Sequence, residues 1–438
     1  MQLAAPAHSE RQTRYRWLML ALLFFATTIN YLDRIVFSVL IPVIREDLKL
    51  STEDYGLITG IFQITYAAGF IFMGKFIDRA GTKIGYAVSI AWWSLAAMLH
   101  AVSRTGLGLA VWRGVLGLGE SGNFPSAIKS VAEWFPKKDR AFATGIFNAG
   151  TNVASMVGPP VFVWMNLHLG WRASFLITGG LGFVWLILWL LLYQLPERHA
   201  RISRAELDYI KSDAAEDAPR SVGWVQALRY KETWGFTLAK FLTDPVWWFY
   251  LYWLPPYLYD VRKFDLKQIG WALPVIYLMA DFGSVAGGWI SGHWIRRGWR
   301  PGRARKTALA LCAICMPIAA TAVLAPSPVL AIALVSLATA AHQGWSANLF
   351  TTVSDVFPKP AVASVTGMGG AMGGLGGFLF SGLLPGILIT RFGYTPVFLM
   401  MGVFHLSALL IVHLLMGRIE PAKGTREPVA REGCSVSE

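Results

Sequence analysis

Twelve times along this chain a run of roughly twenty apolar residues is closed by a short basic or Gly/Pro-containing break. About twenty residues of helix cross the roughly 30 Å of hydrocarbon in a bilayer. Backbone groups in lipid have no water to bond, so each run must be a helix that satisfies its own N–H and C=O groups. The spans fall near 17–40, 55–77, 84–102, 107–130, 141–164, 172–195, 234–259, 268–294, 307–325, 328–351, 363–388 and 394–416. The expected fold is therefore all-α: a polytopic membrane protein with twelve transmembrane helices. The 438 residues are 55% hydrophobic and 15% charged, far from the usage of a soluble domain. The opening "MQLAAPAHSERQTRYR" is polar, and the apolar stretch after it is too long for a signal-peptide core, so it is expected to remain as the first span.

The formal net charge of +13 gains its meaning from placement. Arg11, Arg14 and Arg16, then Arg79 and Lys83, Lys137, Lys138 and Arg140, the series from Arg198 to Lys231, "RRGWRPGRARK" from Arg296 and the tail from Arg418 all fall on one side of an even-numbered topology. By the positive-inside bias that side is cytoplasmic and holds both termini. The charge is topological, with some attraction to anionic lipid, and nucleic acid is not an expected partner. Cys312 and Cys315 lie inside an apolar span and read as packing residues, Cys434 lies in the tail, and no disulfide framework is implied.

The chain repeats itself. "LSTEDYGLITGIFQITYAAGFIFMG" from Leu50 aligns with "FDLKQIGWALPVIYLMADFGSVAGG" from Phe264, placing Gly56 on Gly270 and Gly74 on Gly288. "VAEWFPKKDRAFATG" from Val131 aligns with "VSDVFPKPAVASVTG" from Val353, placing Pro136 on Pro358 and Thr144-Gly145 on Thr366-Gly367. Two pseudo-symmetric six-helix bundles follow: a cytoplasmic tail 1–16, a first bundle 17–195, a cytoplasmic linker 196–233, a second bundle 234–416 and a cytoplasmic tail 417–438. Such duplicated halves place a substrate site at mid-depth between them and rock to expose it alternately, the plan of a secondary transporter. In the linker, Ser203 and Glu206 have capping-box spacing, so a short surface helix is expected there.

Charges inside spans carry the chemistry, because ionisable groups at bilayer depth mark substrate paths or proton relays. In span 1, Thr27, Asn30, Tyr31, Arg34 and Ser38 recur at three- and four-residue spacing and form a polar stripe with Asp33 at its edge. In span 4, "RGVLGLGESGNFP" sets Arg113 and Glu120 seven residues apart, two turns along one face. Interlocked ion pairs that only fix packing are the plainer reading, yet buried pairs rarely outweigh their desolvation. A carboxylate that can lose its Arg partner changes its proton affinity between states, and Arg offers a donor fork matched to a carboxylate. Two acids beside two arginines therefore suggest an organic anion travelling with protons.

Lys240 and Asp244 in span 7 lie one turn apart, as a gate or as a static pair, followed by Trp247, Trp248, Tyr250, Tyr252 and Trp253, as packing or as a stacking surface for a hydroxylated ligand. His342 and Gln343 mirror Glu120 in the repeat, whereas His100, His293 and His405 have no such support; no metal-ligand spacing is present, and Asp281 in span 8 has no assigned role. "GMGGAMGGLGG" from Gly367 allows close helix contact, and Pro125, Pro159, Pro160 and Pro274 permit bends that gating could use. No nucleophile–base set or cofactor loop appears, so an enzyme is not expected.

On these residues the sequence resembles the major facilitator superfamily, through "GKFIDRAGTK" from Gly74 between spans 2 and 3. "NYLDR" and "RGVLGLGESGNFP" resemble its anion:cation symporter branch. "KFLTDPVWWFYLYWLPPYLYD", "AHQGWSANLFTTVSDVF" and "EWFPKKDRAFATGIFNAG" are most similar to bacterial hexuronate transporters. The resemblance implies proton-coupling roles for Asp33 and Glu120, substrate and coupling roles for Arg34 and Arg113, cavity-lining roles for Tyr31 and Tyr66, and a part for Asn152 in span 5. Relatives that carry aldonates can present Asn in span 11, where this chain has only Gly, Ala and Met from Gly367 to Gly374, so hydroxyl contacts must come from elsewhere.

The expectation is a proton-coupled symporter for a sugar acid such as glucuronate or galacturonate, a monomer in the bacterial inner membrane, using protons and no cofactor. Rivals are a symporter for an aldonate or aldarate, a drug or cation antiporter suggested by "GPP" at Gly158, and a non-transporting sensor.

Overall fold

The computed structural model describes residues 13–212, 227–357 and 359–419. Most of both tails with Cys434, the middle of the linker and Pro358 lie outside the described residues. The described long helices fall into twelve segments in the expected order. Spans 1–3 are Tyr15–Leu48, Thr52–Ala80 and Thr82–Leu99, the last extended by a 3-10 turn to Val102. Span 4 is broken into Gly106–Glu120 and Asn123–Trp134, and spans 5 and 6 are Lys137–Leu169 and Trp171–Leu192. Spans 7–10 are Lys231–Asp260, Leu266–Arg296, Pro301–Ala320 and Pro328–Val356. Span 11 runs Lys359–Gly377, a π segment Phe378–Leu383 and Leu384–Phe392, and span 12 is Thr395–Leu415.

Among the described residues, eight helices are long and apolar enough to cross a membrane by length and composition: spans 1, 3, 6 and 8 to 12. Span 2 joins them if its two parts, bent by 43°, are taken as one. The break in span 4 leaves two short pieces, while spans 5 and 7 carry polar residues, tryptophan, tyrosine and proline at the expense of aliphatic ones. Exposed apolar side chains such as Val184, Leu191, Val285 and Leu410 form the outward surface, as lipid-facing positions require.

Packing repeats with the sequence. In the first half spans 1 and 5, 2 and 4, and 3 and 6 lie together; in the second half the corresponding pairs are 7 and 11, 8 and 10, and 9 and 12. Between halves, span 1 meets span 7, span 2 meets span 11 and span 5 meets span 8. Local signals agree. Ser51 opens span 2 in a capping box with Asp54, and the equivalent Asp265 opens span 8 in a capping box with Gln268.

The halves touch from mid-depth to the side opposite the chain termini. Arg45 donates to Asp260 at 2.9 Å and the Tyr259 hydroxyl donates to Glu46 at 3.0 Å. The offset that carries Ser51 onto Asp265 also carries Arg45 onto Tyr259 and Glu46 onto Asp260, so each residue bonds the mate of the other's neighbour, as a two-fold interface demands. Glycine makes the close approach possible: a Cβ on Gly56 would stand 2.8 Å from the Gly386 Cα and 2.9 Å from the Gly382 carbonyl.

The short helix expected in the linker is present as Arg204–Ile210, without a complete capping box. The Ser203 hydroxyl accepts from the Glu206 N–H at 3.2 Å, but the Glu206 carboxylate does not reach back to complete the box. It is fully buried at the start of span 1, accepting from the Thr13 hydroxyl at 2.5 Å and from the Tyr15 and Arg16 amides at 3.2 Å each. A carboxylate there satisfies orphan amides and complements the helix dipole.

Candidate functional site

Span 1 brings Arg34 to mid-depth, and the end of the first piece of span 4 brings Glu120 to it. Arg34 Nε and Nη2 lie 2.9 and 2.8 Å from the same oxygen, Glu120 Oε2. Both side chains are fully buried. Nε makes the hydrogen bond, while Arg34 Nη1 and Nη2 and Glu120 Oε1 are left without hydrogen-bond partners. Four rings enclose the guanidinium: Tyr66 at 4.5 Å, Tyr31 at 4.6 Å, Phe62 at 5.2 Å and, from the second half, Trp248 at 5.3 Å. Cation–π attraction of this kind strengthens as water is excluded.

The break in span 4 aims Glu120. After it the chain passes Ser121 and Gly122, where a side chain would collide with Ser89 of span 3, and then restarts as a helix. Asn123 just beyond accepts from the Tyr86 hydroxyl at 2.6 Å and donates to Thr27 at 3.4 Å, tying spans 1, 3 and 4 together at this level.

Arg113 is not Glu120's hydrogen-bond partner, although the seven-residue spacing suggested one shared face. Its Nη2 donates to the Arg34 backbone carbonyl at 2.7 Å, its guanidinium lies 4.7 Å from the Phe62 ring, and its Nε and Nη1 are unpartnered. Asp33 is a second correction. It is fully buried but turns toward span 6, where Thr178 faces it, and both its oxygens lack a hydrogen-bond partner. Successive residues on a helix differ by about 100° in direction, so adjacency to Arg34 in sequence separates the two side chains in space. Among the described residues, these four side chains thus form one ion pair, Arg34 with Glu120, while Arg113 and Asp33 are in no ion pair.

Sequence reasoning named Asn30 and Tyr252 but missed Gln63. Gln63 in span 2 is buried with both amide atoms unpartnered, as is Asn30 in span 1, and the Tyr252 hydroxyl is also unpartnered. The Gly377 position of span 11 lies against Gln63 and Trp248, and the Tyr55 hydroxyl donates to the Tyr252 carbonyl at 2.5 Å, so spans 2, 7 and 11 close around these groups. A glutamine within an apolar span was the available signal. So many unsatisfied polar atoms in one buried place fit a site that exchanges partners.

The second half contributes rings. Trp247 stacks on His342 with centroids 5.9 Å apart and planes 12° apart, and His342 Nδ1 lies 3.2 Å from His405 Nε2. Lys240 and Asp244 form a pair at 2.8 Å with the Lys240 ammonium 4.2 Å from the Phe350 ring; side chains on Gly369 and Gly373 of span 11 would collide with Lys240 and Asp244. Among the described residues Asn152 is bonded to its neighbour Thr151, at 3.2 Å, and neither it nor Gln343 has a hydrogen bond to the Arg34 cluster. Among the described residues Asp281 has no ion pair.

A profile described as "Major Facilitator Superfamily" matches residues 23–381. The Hexuronate transporter of Escherichia coli (strain K12) is 33% identical over 404 residues, covering 91% of this chain and 93% of that protein. The Galacturonate transporter of Dickeya chrysanthemi is 35% identical over 280 residues, covering 63% of this chain and 81% of that protein. Among solved structures, a bacterial homolog of the human lysosomal transporter Spinster superposes with a TM-score of 0.69 at 19% identity, covering 93% of this chain and 97% of that one. At that identity the likeness concerns the fold.

Proposed function

Because the chain belongs to the Major Facilitator Superfamily and is a transporter, not an enzyme, we propose that it imports a monoanionic sugar acid, a hexuronate such as glucuronate or galacturonate, together with protons. The observation that carries this reading is the single-oxygen grip of Glu120 on Arg34. A guanidinium that already holds one carboxylate cannot present the same donors to another. Protonation of Glu120 weakens that grip and frees Arg34 for the cargo's carboxylate; loss of the proton restores the internal pair and expels the cargo. Arg113, with two free donors and its guanidinium beside the same Phe62 ring, supports the anion. Asp33, with no cation bonded to it, is the second proton carrier, and Tyr31, Tyr66, Trp247 and Trp248 line the path.

With both termini cytoplasmic, the side sealed by Arg45–Asp260 and Glu46–Tyr259 is the outer one. Rocking of the halves about spans 1 and 7 then exposes the site alternately. Lys240 and Asp244 act in coupling this motion between spans 7 and 11. The similarity to transporters named for hexuronate and galacturonate supports the substrate class.

The test uses proteoliposomes and labelled hexuronates, aldonates and aldarates under an imposed pH gradient. Hexuronate should accumulate in response to the gradient, and Asp33→Asn should abolish accumulation while sparing exchange. Normal accumulation by Asp33→Asn removes Asp33 from the proton path. Preference for an aldonate or aldarate replaces the hexuronate assignment with that acid.

A further inference from the structure

Two imidazoles meet in the second half. His342 of span 10 and His405 of span 12 lie 3.2 Å apart through Nδ1 and Nε2, so one ring donates and the other accepts. His405 is fully buried and its Nδ1 has no partner, nor has Nε1 of Trp345, whose ring stands edge-on 5.2 Å away. An unpartnered buried nitrogen is costly, and an apolar side chain would serve the core better. His342 differs: its ring lies flat against Trp247 and keeps a small open surface, 4%. The pair therefore has one closed end and one open end.

The groups around it narrow its chemistry. Span 7 supplies Trp247 and the Lys240 ammonium, span 8 sets Tyr277 edge-on to Trp247, span 10 supplies Trp345, and among the described residues no carboxylate forms an ion pair with either ring. That surrounding suits a donor–acceptor unit and not a second ion pair. If the shared proton sits on His342 Nδ1, its Nε2 accepts; if it sits on His405, the Nε2 of His342 donates. Either form matches a hydroxyl, which does both.

We propose that His342 reads a hydroxyl on the polyhydroxylated end of the cargo, with His405 as the residue that positions it and sets its tautomer. This rests on the sugar-acid reading and deepens it: Arg34 holds the carboxylate from the first half, and the hydroxyl contact that span 11 lacks between Gly367 and Gly374 comes from span 10.

The full chain in proteoliposomes is tested with galacturonate and glucuronate, which differ in the configuration of one hydroxyl. His342→Phe and His405→Leu should each raise KM for the preferred acid about tenfold, the order of one lost neutral hydrogen bond. kcat should change little and the KM ratio of the two acids should collapse toward one. His405→Gln, whose amide can still pair with His342, should keep the ratio and shows that position 405 tolerates change. Variants that keep the wild-type ratio, or that lose kcat equally for both acids, overturn the role of the pair and leave the sugar-acid reading standing. Equal KM values in the wild type do the same. A wild-type protein that carries neither acid overturns both.

Discussion

Where the first half places Asp33, Arg34 and Glu120, the second half places Trp247, Trp248 and His342. The offset that joins the caps of spans 2 and 8 carries Asp33 onto Trp247 and Arg34 onto Trp248, and the repeat of spans 4 and 10 carries Glu120 onto His342. Arg34 and Trp248, mates under the repeat, stack at 5.3 Å across the interface. The helix plan is duplicated and the chemistry is divided: ions on one side, rings on the other. Charging both halves would place like guanidiniums against each other near the axis, at a cost several times that of the cation–π contact that replaces it.

The largest expected effect probes this division. Glu120→Ala leaves Arg34 buried without its counter-ion and should destabilise the protein by about 3–5 kcal/mol. His342→Ala at the mate position removes a neutral ring and should cost about 1–3 kcal/mol. Chemical unfolding in detergent measures both, and equal losses would break the contrast between halves.

A smaller effect concerns the one ion pair described within span 7. Lys240 and Asp244 sit beneath a row of glycines, and a methyl group at Gly373 would meet the Asp244 carboxylate. Gly373→Ala should cost about 1–3 kcal/mol through overpacking, and adding Asp244→Ala should recover part of that loss despite removing a salt bridge. If Gly373→Ala is neutral by itself, the pair is free to move and the close packing of spans 7 and 11 is not what holds it.

Much of this frame is legible in the sequence because it rests on periodic signals. Twelve apolar runs, two pairs of aligned repeat segments and the intramembrane charges Arg34 and Glu120 each announce themselves. What was not legible depends on direction and on partners far along the chain. The sequence cannot show that Asp33 turns to span 6, since its neighbour Arg34 shares its depth and not its face. His405 stands alone in an apolar span, and its partner lies 63 residues away. The break in span 4 carried a signal, Gly122 followed by Pro125, of the kind that interrupts helices, but the apolar pattern ran straight through it.

The interface itself should be energetically shallow. Arg45 and Asp260 side chains are 22% and 35% exposed, so a double-mutant cycle should return about 0.2–1 kcal/mol of coupling. The related bond from Tyr259 to Glu46 should give a similar value if the two-fold arrangement governs both. A coupling of several kcal/mol at one bond and none at the other would show that one half dominates the seal.

The smallest expected effect lies at the linker, where the described contacts favour the first half. His199 packs on Tyr15 of span 1 and Trp134 of span 4, with ring centroids 4.6 and 5.6 Å apart. Burial first, and then the nearby Arg201 charge, hold its imidazole below the usual value. A base held neutral in the docked state takes up its proton more readily when undocked. Docking is therefore at full strength above the ordinary imidazole range near pH 6.5 and weakens as the pH falls through it. Hydrogen exchange of residues 196–212 should accelerate modestly between pH 8 and pH 5.5, after correction for intrinsic rates, while the loop joining spans 8 and 9 should not respond. His199→Gln should remove the difference. If the acceleration persists in that variant, the pH response does not belong to His199, and its packing on Tyr15 and Trp134 is not what holds the linker to the first half.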